Sequence, residues 1–152
     1  IQAADLVGRK TLRDGGKAIR ELIADMKETL NGMNGDDKAL EIIRDSFAQS
    51  LEDLEYVVDW LLANASDPRL AAAAASSYLH LVGITCGGWL LVRSAVLGVA
   101  KLNDGTTDTV FYTAKIDAAR FYATQVLPET SALRTAIAQG SETIADLGVS
   151  SF

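Results

Sequence analysis

The sequence predicts an all-α protein, an antiparallel bundle of about four main helices with short terminal helices. Three observations predict it. Apolar residues recur at spacings of three and four in several long segments, the period of a helix face. Only two prolines occur in 152 residues, Pro68 and Pro128, and each sits at a natural helix boundary. The breaks between segments carry turn chemistry: Asp14-Gly15-Gly16, Asn31-Gly32, Asn34-Gly35 and Asn103-Asp104-Gly105.

Taken in order, Ile1 to Lys10 reads as the last turns of a helix, with Ile1, Leu6 and Val7 among charges at Asp5, Arg9 and Lys10. From Lys17 to about Leu30, Ile19, Leu22, Ile23, Met26 and Leu30 form a helical stripe. A second helix is expected from near Asp36 to about Asn64. Its stripe is Leu40, Ile43, Phe47, Leu51, Leu54, Val58 and Leu61, widened by Ile42, Val57 and Leu62. Asp45, Glu52, Asp53, Glu55 and Asp59 along the same segment read as a solvated acidic face. A di-iron site needs inward Glu residues and a Glu-x-x-His pair; the one histidine, His80, has no Glu three residues before it.

Asp67 to Asn103 is expected to be one long central helix, capped by Asp67 with Pro68 at its first position. A membrane span needs about 20 consecutive apolar residues. Arg93 interrupts the most apolar part here, and a central arginine costs about 2.5 kcal/mol or more on insertion, so a bundle helix is favoured over a span. Gly83, Gly87 and Gly88 predict close approach of a neighbour, with Trp89 filling space beside them. His80 reads as a hydrogen-bonded structural histidine and Cys86 as an inert buried thiol. Arg93 is expected to pair with a carboxylate or with helix-end carbonyls at the core edge. Thr109 to Leu127 forms the last long helix, with Phe111, Ala114, Ala118, Phe121 and Val126 as inward candidates. Tyr112, Phe121 and Tyr122 are expected to pack in the core. After Pro128, a short helix over Thr130 to Ala138 stops at Gly140, another turn or two covers Ser141 to Leu147, and Val149 to Phe152 is a loose tail.

Composition narrows function. The net charge is −6 and no basic patch stands clear of acids, so nucleic acid is not an expected partner. A single cysteine excludes an internal disulfide and a cysteine-based zinc site and suggests a reduced, cytoplasmic setting. There is no phosphate loop, nucleophile elbow, metal-ligand spacing or triad. No residue is assigned as catalytic, cofactor-binding or metal-binding. The first residues lack a secretory signal, and the absence of an initiator Met implies a start inside something larger.

Three ordered segments carry a family resemblance: Ile1-Gln2-Ala3 with Asp5 to Lys10 and Asp14-Gly15-Gly16; Tyr78-Leu79 through Gly83, Gly88, Trp89, Leu90 and Arg93; and Ala114-Lys115, Ala119 to Tyr122 and Leu127-Pro128. Together they resemble the extra C-terminal region of long bacterial acyl-CoA dehydrogenases, the group that includes methylmercaptopropionyl-CoA dehydrogenase. The resemblance implies that residues 1–10 end the last helix of a catalytic domain and that residues 11–152 form a C-terminal helical bundle. It implies FAD in the parent enzyme and none in this fragment. The catalytic Glu of such enzymes lies in a Tyr-Glu-Gly-Thr loop just before the Ile-Gln that opens this chain, so the fragment alone is expected to be inactive. Implied partners are the missing catalytic domains of the same chain and further copies in an oligomer. Some exposed apolar surface is then expected, above all around Ile1, Leu6 and Val7. The other reading of the residues is a free-standing helical binding or scaffold protein with an apolar groove, beside the Gly83–Gly88 face.

Overall fold

A computed structural model describes residues 1–33, 38 and 40–147. Among them there is no strand. The helices are α1 (Gln2–Asp5), which continues as a π-helical segment Leu6–Leu12, then α2 (Lys17–Asn31), α3 (Glu41–Ala63), α4 (Pro68–Asn103), α5 (Thr109–Gln125) and α6 (Glu129–Asp146). The all-α bundle expected from the pattern is what forms. The expected short terminal helices after Pro128 are instead one helix: Gly140 lies inside α6, with no heavy atom within 4 Å of where its Cβ would be. A lone glycine costs a helix only about 1 kcal/mol, which the packing of Ile137 and Ser141 on either side offsets.

The first helix packs on the bundle. Val7 and Thr11 are buried, and the Thr11 hydroxyl is hydrogen-bonded to the Tyr78 hydroxyl at 3.0 Å. Burial holds the Tyr78 phenol above its ordinary pKa, opposed by the bond to Thr11. Tyr78→Phe is therefore expected to cost about 1 kcal/mol, read as a lower urea midpoint at unchanged slope. No change in midpoint would show the bond to be energetically idle. Of the residues expected to be left bare, Ile1 is exposed, but Val7 is only 2% exposed because it packs against the α3–α4 layer.

The Asp14-Gly15-Gly16 turn is sharp. Gly15 and Gly16 have φ of 67° and 79°, left-handed values that suit glycine, and the Asp14 carboxylate accepts from the backbone N–H groups of Gly16 and Ala18. A Cβ on Gly16 would come within 2.9 Å of Leu62 Cδ1. The turn lays α2 along α3, where Ile19, Ile23 and Met26 are buried. Arg20–Asp59 at 2.5 Å and Lys27–Glu55 at 2.6 Å join the outer edges of the pair.

In α3 the whole predicted stripe from Leu40 to Leu61 is buried, with Val57. Ile42, expected to widen it, is 46% exposed because it falls on the opposite side of the first turn. The expected start near Asp36, and the Asn34-Gly35 loop, lie outside the described residues.

The central helix forms as expected. Asp67 Oδ1 accepts from the Arg69 N–H at 2.9 Å, with Pro68 at the first position. α4 crosses two core clusters, one around Phe47, Ile84, Val92 and Ala95, the other around Leu54, Val58, Tyr78, Leu81 and Ile137. It packs on α3, α5 and α6. By length and composition alone α4 could cross a membrane: its most apolar window has a mean hydropathy of 1.6, and 33% of that window is buried.

α5 departs most from expectation. Ile116, Ala119 and Ala123 face the core, while Phe111, Ala114, Ala118 and Phe121 are exposed; Val126 is half-buried. α5 has apolar residues on both sides, and the stripe chosen from spacing is the outer one.

Candidate functional site

The residues singled out in the sequence do not converge. His80 is on the surface rather than in a structural hydrogen bond, with Nε2 3.9 Å from Glu129 Oε2 and its side chain 58% exposed. Arg93 is exposed and lies 5.3 Å from the centroid of the Trp89 ring. Among the described residues the expected carboxylate or carbonyl partner is replaced by an aromatic face one turn back on the same helix. Trp89 itself donates Nε1–H to Thr29 Oγ1 on α2 at 2.8 Å. Cys86 is half-buried, and that burial raises its thiol pKa. It therefore stays protonated and unreactive.

The glycines divide. A Cβ on Gly87 would lie 2.6 Å from the Tyr122 hydroxyl, which donates to the Ile84 carbonyl at 3.1 Å. A Cβ on Gly88 would meet Leu127 Cδ2 at 2.8 Å. These two admit α5 and the α5–α6 junction. Gly83 is exposed and approaches nothing, so the expected close contact there does not occur. Gly98, not singled out, does the same work against Tyr112 and Ile116. Of the expected aromatic group, Tyr122 is half-buried and Phe121 is on the surface; Tyr112 packs edge-on against Phe111 at 5.2 Å.

One polar constellation is built into the fold, and sequence reasoning missed it. Asp53 was placed on a solvated face, yet it is 1% exposed. Its Oδ2 lies 2.7 Å from Ser131 Oγ and 2.9 Å from Thr130 Oγ1. Its Oδ1 lies 3.2 Å from Arg134 Nη1 and 3.4 Å from Gln49 Nε2. Arg134 also stacks 4.0 Å over the Tyr56 ring. The other carboxylates of that run are exposed or half-buried, as expected. A signal existed: Asp53 falls three residues after Ser50 and four before Val57, both buried, so it lies on the edge of the inward stripe.

A cleft of about 350 Å³ opens beside this cluster, lined by Tyr56, Ser131, Arg134 and Thr135 among others. The chemistry is structural. Both carboxylate oxygens accept from more than one donor, and the charge is neutralised by arginine. The cluster ties α3 to the first turns of α6. Among the described residues no group of three or more His, Cys, Asp or Glu could hold a metal ion.

Residues 22–148 match the family described as acetyl-CoA dehydrogenase C-terminal like. The chain is 36% identical over 145 residues to 3-methylmercaptopropionyl-CoA dehydrogenase of Ruegeria pomeroyi, covering 95% of this chain and 24% of that protein. It is 29% identical to the broad-specificity linear acyl-CoA dehydrogenase FadE5 of Mycobacterium tuberculosis, over 100% of this chain and 26% of that one. To butyryl-CoA dehydrogenase of Syntrophomonas wolfei it is 31% identical, over 84% of this chain and 21% of that one. The chain thus spans about a quarter of the length of these relatives. It belongs to the acyl-CoA dehydrogenase C-terminal domain family.

Proposed function

We propose that this bundle is the accessory C-terminal domain of an FAD-dependent acyl-CoA dehydrogenase, that residues 1–10 end the last helix of its catalytic part, and that α-proton abstraction and hydride transfer to flavin occur outside this chain. The observation that carries the reading is the match over residues 22–148 in a chain that spans only a quarter of its relatives. The residues at hand do not fit a flavin dinucleotide. The clefts are about 280 to 420 Å³, at the small end of the range for ligand sites, and the acid that borders the polar one, Asp53, is already paired with Arg134. The domain's role is to pack on the flavin-bearing part and to support a cytoplasmic homo-oligomer. α4 serves as a bundle helix rather than a span, which the buried face it shares with three other helices supports.

Two measurements test this. The coding sequence before Ile1 is expected to encode a flavin domain ending in a Tyr-Glu-Gly-Thr loop; a start codon beside Ile1 would sink the reading. The purified 152-residue chain is expected to be colourless and inactive on acyl-CoA, so flavin absorbance that co-purifies with it counts against the proposal.

A further inference from the structure

The α4–α5 hairpin is apolar on the side that the bundle leaves open. On α4, Leu79, Gly83, Leu90, Arg93 and Leu97 are exposed at a strict three–four spacing around half-buried Cys86. Leu90 is 57% and Leu97 54% exposed. On α5, Phe111, Ala114, Ala118 and Phe121 repeat that spacing, with the two phenylalanines 55% and 64% exposed. Both seams have the pattern of a helix face that meets another element, and neither is used within the bundle. By contrast the outer edges of α2 and α3 carry ion pairs.

We propose that this outer α4–α5 face is where the preceding, flavin-bearing part of the parent chain packs; the proposal rests on the function proposed above. Two features name the occupant. First, residues 2–12 already lie on the head of α4: Ala4, Val7 and Gly8 line an apolar groove of about 280 Å³ with Pro68, Ala71 and Ala72. α1 also packs on α4, so the exposed α4 seam continues an interface that the first residues of the chain already form. Second, about three quarters of the length of the relatives lies outside this chain. The seam from Leu79 to Leu97 is about 27 Å long at ~1.5 Å per residue, and with the α5 seam it offers the span of a standard interface of about 800 Å² per side. A second copy fits less well. Antiparallel two-fold pairing of the α5 seams would bring the two Lys115 side chains to one side and the two Asp117 side chains to the other, like against like.

Hydroxyl-radical footprinting of the full-length holoenzyme and of the 152-residue chain tests this, read at Leu90, Phe111 and Phe121 with light scattering on both samples. The expected result is a monomeric 152-residue chain with all three residues modified, and modification at least about fivefold lower in the holoenzyme. Equal modification in a yellow, active holoenzyme overturns the proposal and leaves the accessory-domain reading intact. Protection in the 152-residue chain at dimer mass assigns the face to a second copy. Protection of that chain only on vesicles of neutral and anionic phospholipid assigns it to a membrane. Either outcome also overturns the proposal. A full-length chain without a flavin domain removes the reading itself, whatever the footprint.

Discussion

Asp53→Ala is expected to destabilise the 152-residue chain by about 3 kcal/mol, at the low end of the ~3–5 kcal/mol seen when one partner of a buried ion pair is removed. Asp53 is 1% exposed, and its loss removes the acceptor shared by Gln49, Thr130, Ser131 and Arg134; the Thr130 hydroxyl keeps the Leu127 carbonyl at 2.8 Å, and the exposed Ser131 turns to water. Arg134 softens the loss, because its side chain is 38% exposed and can turn to water. For a domain of this size that is a fall of about 6–12 °C in melting temperature. Urea unfolding of Asp53→Ala, Arg134→Ala and the double variant measures the coupling. The two single losses should exceed the double loss by at least about 1 kcal/mol. A single-variant cost below about 1 kcal/mol would mean that the cluster is not a structural joint.

Phe47→Ala should cost about 3–5 kcal/mol. Phe47 is 0% exposed at the centre of the cluster shared by α3, α4 and α5, and its ring leaves a cavity that packed helices cannot close. The same substitution at Phe121, which is 64% exposed, should stay within about 0.5 kcal/mol in the 152-residue chain. Paired denaturant titrations decide it. Comparable losses at the two sites would mean that Phe121 is packed inside.

Those two phenylalanines also mark how far the sequence could be read. The α3 stripe was legible because its inward side is apolar and its outward side is charged, so periodicity and burial agree. On α5 the phenylalanines share the outer side with alanines, and the inner side is Ile116, Ala119 and Ala123. Two apolar stripes of equal period leave the direction open; only the close approach of Tyr122 to Gly87 and of Ile116 to Gly98 chooses the inner one. Asp53 was only half legible, for another reason. Its place on the edge of the inward stripe was a local signal, but a buried carboxylate is tolerable only with partners, and all of them but Gln49 lie in α6, which no local pattern links to α3. The long α4 and its cap were legible in full, since Asp67-Pro68 is local chemistry. Arg93 was misjudged because its partner, Trp89, is one turn away on the same helix rather than an acid.

The Asp53 joint also has a consequence in time. Its bonds to Thr130, Ser131 and Arg134 link residues 77, 78 and 81 apart in the chain. The Lys27–Glu55 and Tyr122–Ile84 bonds span only 28 and 38. Shorter closures lose less chain entropy, so the helix pairs are expected to assemble before α6 docks on Asp53. Contacts made after the folding barrier slow unfolding and leave the folding rate alone. The carboxylate is therefore expected to govern how long the assembled bundle lasts rather than how fast it forms, which the two arms of a chevron for Asp53→Ala would read.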